Sequence, residues 1–293
     1  MKSIIAFTKK TILPIVLLTP IVIGISSCGT NSQDENAAST QDSTAAASAP
    51  TASKDSSNPT RDFFYSLPSP LLMAKIFKKT GLKYMDGVTN SPDNVSKYSS
   101  VNSKTLNLGI YSADLAYTVL NKQNQQAARY MEAVKRLSDE LGMGSLFDSD
   151  DYLKRFKNNI DNEDSLIAVV CQLKGEMDMF MKDNEKEKET VIIFIGAWIE
   201  NMYIATQLTK EANKEKVAMR VAEQKYILNS LMNVSSSFQS DPEFKDLYQQ
   251  LSELKSLFDN LTVKGEDEKI TMDERQLKAI TEKTRDLRKN IVG

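Results

Sequence analysis

The chain contains no histidine among its 293 residues. That removes the usual base of Ser-His and Cys-His catalysis and the usual nitrogen ligand of zinc and copper sites. Carboxylate, lysine and tyrosine chemistry remain open, so an enzyme using carboxylates ranks third among the functional expectations. The first expectation is a non-catalytic protein with no cofactor and no metal. Cysteine is nearly as scarce, with only Cys28 and Cys171. Cys171 ends the run Leu166-Ile167-Ala168-Val169-Val170, and the simplest reading is a small buried apolar residue. A strong charge imbalance is also missing, with 37 basic residues against 39 acidic ones. Lys2, Lys9 and Lys10 are the only charges before Cys28, so removing them leaves 34 against 39, a net of −5. That balance argues against a nucleic-acid partner, which requires a basic face. Sustained period-two alternation with β-branched enrichment is absent as well, which excludes a sheet-based body.

What is present begins with a leader. Lys2, Lys9 and Lys10 precede an apolar run from Ile12 to Ile25, interrupted by Pro14, Pro20 and Gly24 and followed by small residues. A basic start, an apolar middle and small residues at the end make a secretory signal peptide. The run is short and broken for a stable membrane span, which takes about 20 apolar residues. From Gly29 to Thr60 the chain is Ser, Thr, Ala, Asp, Gln and Asn with Pro50 and Pro59, and it holds no large apolar residue. Such a segment cannot bury a core and reads as a disordered tether. As a flexible coil it spans on the order of 30 Å.

The four residues Ile25-Ser26-Ser27-Cys28 resemble the lipobox of bacterial lipoprotein precursors: aliphatic, small, small, cysteine. The resemblance implies cleavage between Ser27 and Cys28, a diacylglycerol on the Cys28 thiol, and acylation of the freed amine by a fatty acid such as palmitate. The alternative is an ordinary signal peptide with Cys28 incidental. Each buried CH₂ contributes about 0.8 kcal/mol, so two or three chains hold firmly where one holds marginally. Acylation of Cys28 also leaves Cys171 as the only thiol, which rules out an intrachain disulfide. Gly29 stands where an Asp resembles an inner-membrane retention signal, so the expected address is the cell envelope, at the outer membrane. Gln33-Asp34-Glu35 is similar to acidic tracts that send lipoproteins to the cell surface, with a solvated linker as the alternative.

Three regions follow: a signal peptide over 1–27, a lipidated cysteine with its tether over 28–60, and a body over 61–293 with a subdivision expected near 212–240. The body reads as all-α, a helical bundle of about eight or nine helices. Ser69-Pro70 predicts an N-cap and first-turn proline, with Gly81 ending that helix. A turn-rich connection runs from Asp86 to Ser100. Asn102 or Ser103 is expected to cap a helix through Leu106, Ile110, Leu115 and Leu120 that is apolar on nearly all sides, the mark of a buried helix. Gln123–Leu141 reads as its amphipathic partner, stopped by Gly142 and Gly144. Ser149 is expected to cap a short helix, and Asp161, Glu163 and Asp164 to occupy the first turn of the next. Val191–Leu208 is the most apolar stretch after the leader. It reads as a core helix and not a membrane span, because Glu200 sits past its middle and a central acid costs about 2.5–3.5 kcal/mol. A further helix covers Ala218–Met232. Phe244, Leu247, Leu251, Leu254, Phe258 and Leu261 step by three and four, a seam for a partner helix. After a break at Gly265, a last helix carries Leu277, Ile280, Leu287 and Ile291.

Two acids fall inside apolar helices. Asn107, Tyr111 and Asp114 share one helix face, as do Glu200, Tyr203 and Gln207. If the helices pack together, these residues form a polar cluster in an apolar shell, because buried acids need partners or a raised pKa. The functional reading is a ligand pocket or proton-handling pair near Asn107, Tyr111, Asp114, Glu200 and Tyr203. The structural reading is a network tied to Lys, Arg or backbone groups. Met177, Met179 and Met181 suit Cu(I) by chemistry, but helical geometry sends Met179 away from the other two, and core packing is the expected role.

The stretch from Leu106 to Tyr117 resembles a family of helical lipoproteins of the Bacteroidota, and the resemblance is expected to extend over the body from Pro68 to Leu208. No activity accompanies that resemblance. The expectation is a lipid-anchored envelope protein that binds a protein partner through its helical surfaces, with the final two helices as the favoured partner surface. A small-ligand-binding lipoprotein using the polar cluster is the alternative.

Overall fold

The computed structural model describes residues 68–148, 152–264 and 269–293. The leader, Cys28, the tether, Ser149 and Gly265 lie outside the described residues. The described chain is all-α, with eleven helices: α1 (Pro70–Lys78), α2 (Val101–Leu120), α3 (Asn124–Glu140), α4 (Ser145–Asp148), α5 (Tyr152–Asn158), α6 (Glu163–Asp183), α7 (Glu187–Gln207), α8 (Lys214–Ala222), α9 (Gln224–Ser235), α10 (Lys245–Asp259) and α11 (Glu274–Val292). Two exceed the expected nine, because α4 is a separate four-residue turn and the helix expected over Ala218–Met232 is split at Glu223. A small antiparallel hairpin was not expected. β1 (Thr262–Lys264) pairs with β2 (Lys269–Thr271), with Val263 opposite Ile270. Three residues per strand are too few for alternation to register in sequence.

Local signals set most boundaries. Ser69 caps α1 by accepting from the Leu72 N–H at 3.1 Å, and Pro70 opens the helix. The cap of α2 is Ser100, which accepts from the Ser103 N–H at 3.1 Å; Asn102 and Ser103 lie inside the helix. Asn162 caps α6, so Glu163 and Asp164 occupy its first turn and Asp161 falls ahead of the cap. Gly142, with φ 78°, follows α3 in the left-handed region that glycine adopts without a Cβ penalty.

Helix α2 is apolar all round because it has a core on either side. Leu108, Tyr111, Leu115 and Val119 pack with α3, α5 and α6, while Leu106 and Tyr117 belong to the cluster built from α7 to α11. Helix α7 is buried from Val191 to Ala205 apart from Ile193 and Tyr203. The two helices cross where glycine removes the side chain from both. A Cβ on Gly109 would stand 1.9 Å from the Ile193 carbonyl oxygen, and one on Gly196 would stand 2.1 Å from that of Leu106. Any larger residue at either position pushes the helices apart.

Among the described residues no single helix is long and apolar enough to cross a membrane. Helix α7 passes that test only together with residues 211–238, across a bend of 119°. Val217, Val221 and Leu228, within the expected subdivision, share the apolar cluster of α7. The expected seam is occupied inside the chain. Phe244, Leu247, Leu251, Leu254, Phe258 and Leu261 are all buried, as are Leu277, Ile280 and Leu287 of α11. That seam is therefore not a free face for a protein partner.

Candidate functional site

The close crossing of α2 and α7 brings the two acids together. Asp114 and Glu200 are both 0 % exposed, and Asn107, Tyr111 and Tyr203 lie around them. The cluster has a third wall that the sequence reading did not name. From α11, Arg288 donates Nε–H to Glu200 Oε2 at 2.8 Å and Nη2–H to Glu200 Oε1 at 2.9 Å. Its guanidinium carbon sits 4.2 Å from the centroid of the Tyr203 ring. Burial alone disfavours the Arg288 cation, but the charge and hydrogen bonds of Glu200, helped by Asp114, outweigh it and raise its pKa.

The fourth wall is the connection before α2. Ser91 caps its short 3₁₀ turn (Pro92–Lys97). Asn90 is its hub: the backbone N–H donates to Asp114 Oδ2 at 3.2 Å. The side-chain amide donates to the Tyr98 hydroxyl at 2.8 Å and to Asn107 Oδ1 at 3.3 Å. It accepts from the Asn94 amide at 2.9 Å. Asn107 in turn donates to the Ile291 carbonyl of α11 at 3.1 Å, and Tyr111 donates to the Ser91 carbonyl at 2.9 Å. Tyr111 stacks at a tilt between Tyr98 and Tyr130, with centroids 6.3 and 6.1 Å away.

One acceptor in this network has no donor. Asp114 Oδ1 is buried without a hydrogen-bond partner among the heavy-atom contacts. Burial pushes the Asp114 carboxyl well above the usual carboxylate range. The adjacent Glu200 charge and hydrogen bond push it further, against the lowering by Arg288 and the Asn90 N–H. A proton on Asp114, donated to Glu200, turns the orphaned oxygen into a donor. The cluster then holds a neutral acid, one carboxylate and one guanidinium, and carries no net charge. Burial likewise raises the hydroxyls of Tyr98, Tyr111 and Tyr130, so these rings stay neutral.

All five residues of the expected pocket meet, but as a filled junction. Two surface clefts lie away from it. One is lined by Phe77, Lys78, Leu82, Tyr117, Asn121 and Asn201, the other by Val101, Glu140, Met143, Met181, Lys186 and Glu189. Arg288 had a sequence signal: with Thr284, Leu287 and Ile291 it lies on the apolar stripe of α11, where an exposed arginine does not belong. Asn90 had none, because its decisive donor is a main-chain N–H in a loop.

Among the methionines, Met181 is buried, Met177 packs against the core and Met179 is exposed, as helical spacing predicts. Among the described residues no group of three or more Asp, Glu or Cys side chains is placed to hold a metal ion. No family model, curated protein or solved structure matches this chain.

Proposed function

We propose that this chain is a lipid-anchored cell-envelope protein that works by presenting a rigid helical body to a protein partner, without catalysis. The observation that carries this reading is the lipobox Ile25-Ser26-Ser27-Cys28, ahead of a tether without a large apolar residue and a helical body. Acyl chains on Cys28 would fix the protein to a membrane, at the outer membrane by the resemblance around Gly29, and the tether would hold the body on the order of 30 Å from the headgroups. The burial of Asp114 and Glu200, with Glu200 held by Arg288 and one Asp114 oxygen by the Asn90 N–H, supports a binding or scaffold role over a ligand pocket there. The closure of the seam in α10 and α11 moves the partner surface away from those buried faces.

Fractionation of cells expressing the wild type and Cys28→Ser, followed by cross-linking in intact envelopes, tests the proposal. The wild type is expected in the membrane fraction with a reproducible cross-linked protein species, and Cys28→Ser in the soluble fraction without it. Equal membrane association of both proteins removes the anchor. A turnover of substrate abolished by Asp114→Asn in a folded protein removes the non-catalytic reading.

A further inference from the structure

Three observations converge on α11. Its least exposed charge, Arg288, is spent on Glu200. Its last turn is tied to the same junction through the Ile291 carbonyl, which accepts from Asn107, and through the Val292 carbonyl, which accepts from Tyr98 at 3.5 Å. The junction also contains an acid whose free oxygen has no partner unless it carries a proton.

We propose that the Asp114–Glu200–Arg288 junction is a proton-operated latch: one proton held between the two carboxylates keeps α11 docked, and its loss at rising pH releases the last turns of α11. With the proton in place, the two acids and one guanidinium sum to zero charge. Without it, two buried carboxylates share a single counter-ion, and away from solvent like charges repel strongly. The element free to respond is α11, because α2 and α7 are locked by the Gly109–Gly196 crossing.

The groups facing Asp114 leave no other candidate to hold that proton's charge. Glu200 comes from α7, Arg288 from α11 with Tyr203 of α7 against its far face, Tyr130 from α3, and Tyr98 and the Asn90 N–H from the preceding connection. Tyr111 and Tyr117 flank it on α2 itself. On α1, Lys78 reaches only the end of α2, where it donates to the Leu120 carbonyl. Helix α6 presents Ile167 and Cys171 to Ala116 and Leu120.

The direction follows from linkage. When α11 lifts, Asp114 is rehydrated and its pKa falls toward about 3.9, so above that pH the open state holds one proton fewer. Opening should therefore become easier by up to about tenfold per pH unit until the docked-state pKa is passed.

Amide hydrogen exchange resolved by segment, corrected for the intrinsic pH dependence of exchange, measures this. The expected result in the full chain is opening of 284–292 that rises with pH while α2 and α7 stay protected, and loss of that rise in Asp114→Asn. Independently of any variant, the Asp114 carboxyl ¹³C resonance should titrate well above the ordinary aspartate range. Asp114 titrating in the ordinary range overturns the latch, as does a pH-independent α11 in the wild type. Should Asp114→Asn fail to fold, the wild-type resonance and exchange profile decide the question alone.

Discussion

Arg288 grips Glu200 with two hydrogen bonds at once, from a position 88 residues further along the chain. Two parallel N–H···O bonds fix orientation as well as distance, and here they join the last helix to the most buried one. Glu200 is 0 % exposed and the Arg288 side chain 12 %, so the carboxylate has no solvent to replace this partner and the guanidinium has little. Glu200→Met and Arg288→Met should each lower stability by about 3–5 kcal/mol, because each strands the other charge. Replacing both with apolar residues should recover a large part of the loss. Urea denaturation of the four proteins in a double-mutant cycle reads this directly.

The pH dependence of stability should carry the mark of Asp114. Its folded-state pKa is raised, by burial first and by Glu200 second, so the folded state keeps a proton that the unfolded chain has lost. A group of that sign contributes most below the unfolded pKa, about 3.9, and its contribution falls as pH rises through the folded value. Asp114→Asn keeps an amide donor toward Glu200 and removes the proton, so its urea midpoint should gain on the wild type as pH rises. A difference between the two proteins that stays constant with pH would show that Asp114 does not carry it.

Gly109 and Gly196 should tolerate nothing larger. A methyl group at either meets a carbonyl oxygen of the opposite helix at about half the normal contact distance, so the helices must separate. Gly109→Ala and Gly196→Ala should each cost about 1–3 kcal/mol or more. The double variant should cost less than the sum, since both act on one crossing. Thermal unfolding of the three variants measures it.

The methionines of α6 should not bind copper. Met181 is in the core and Met179 faces the solvent, so two of the three thioethers cannot meet one ion. Titration with Cu(I) should give no stoichiometric complex, and Met177→Leu should leave the protein folded.

The helices were legible because their signals are local. The apolar periodicity of α2, α7 and α10 and the Ser69-Pro70 start each lie within a single window of sequence. The meeting of Asp114 with Glu200 was legible in part, since two acids on otherwise apolar helices must find partners. Its outcome was not, because whether the junction is open or filled depends on Arg288 and Asn90, which arrive from other parts of the chain. The same limit hid the role of the α10 seam: three-and-four spacing predicts that a helix is covered, but cannot say whether the cover is a partner protein or, as here, the chain's own α9 and α11.

Intact mass spectrometry of the protein purified from native membranes bears most directly on the proposal that the body is held at a membrane by acyl chains. The expected chain begins at Cys28 and carries a diacylglycerol and a fatty acyl group on that residue. A chain that retains residues 1–27, or one that begins at Cys28 with an unmodified thiol, would contradict it.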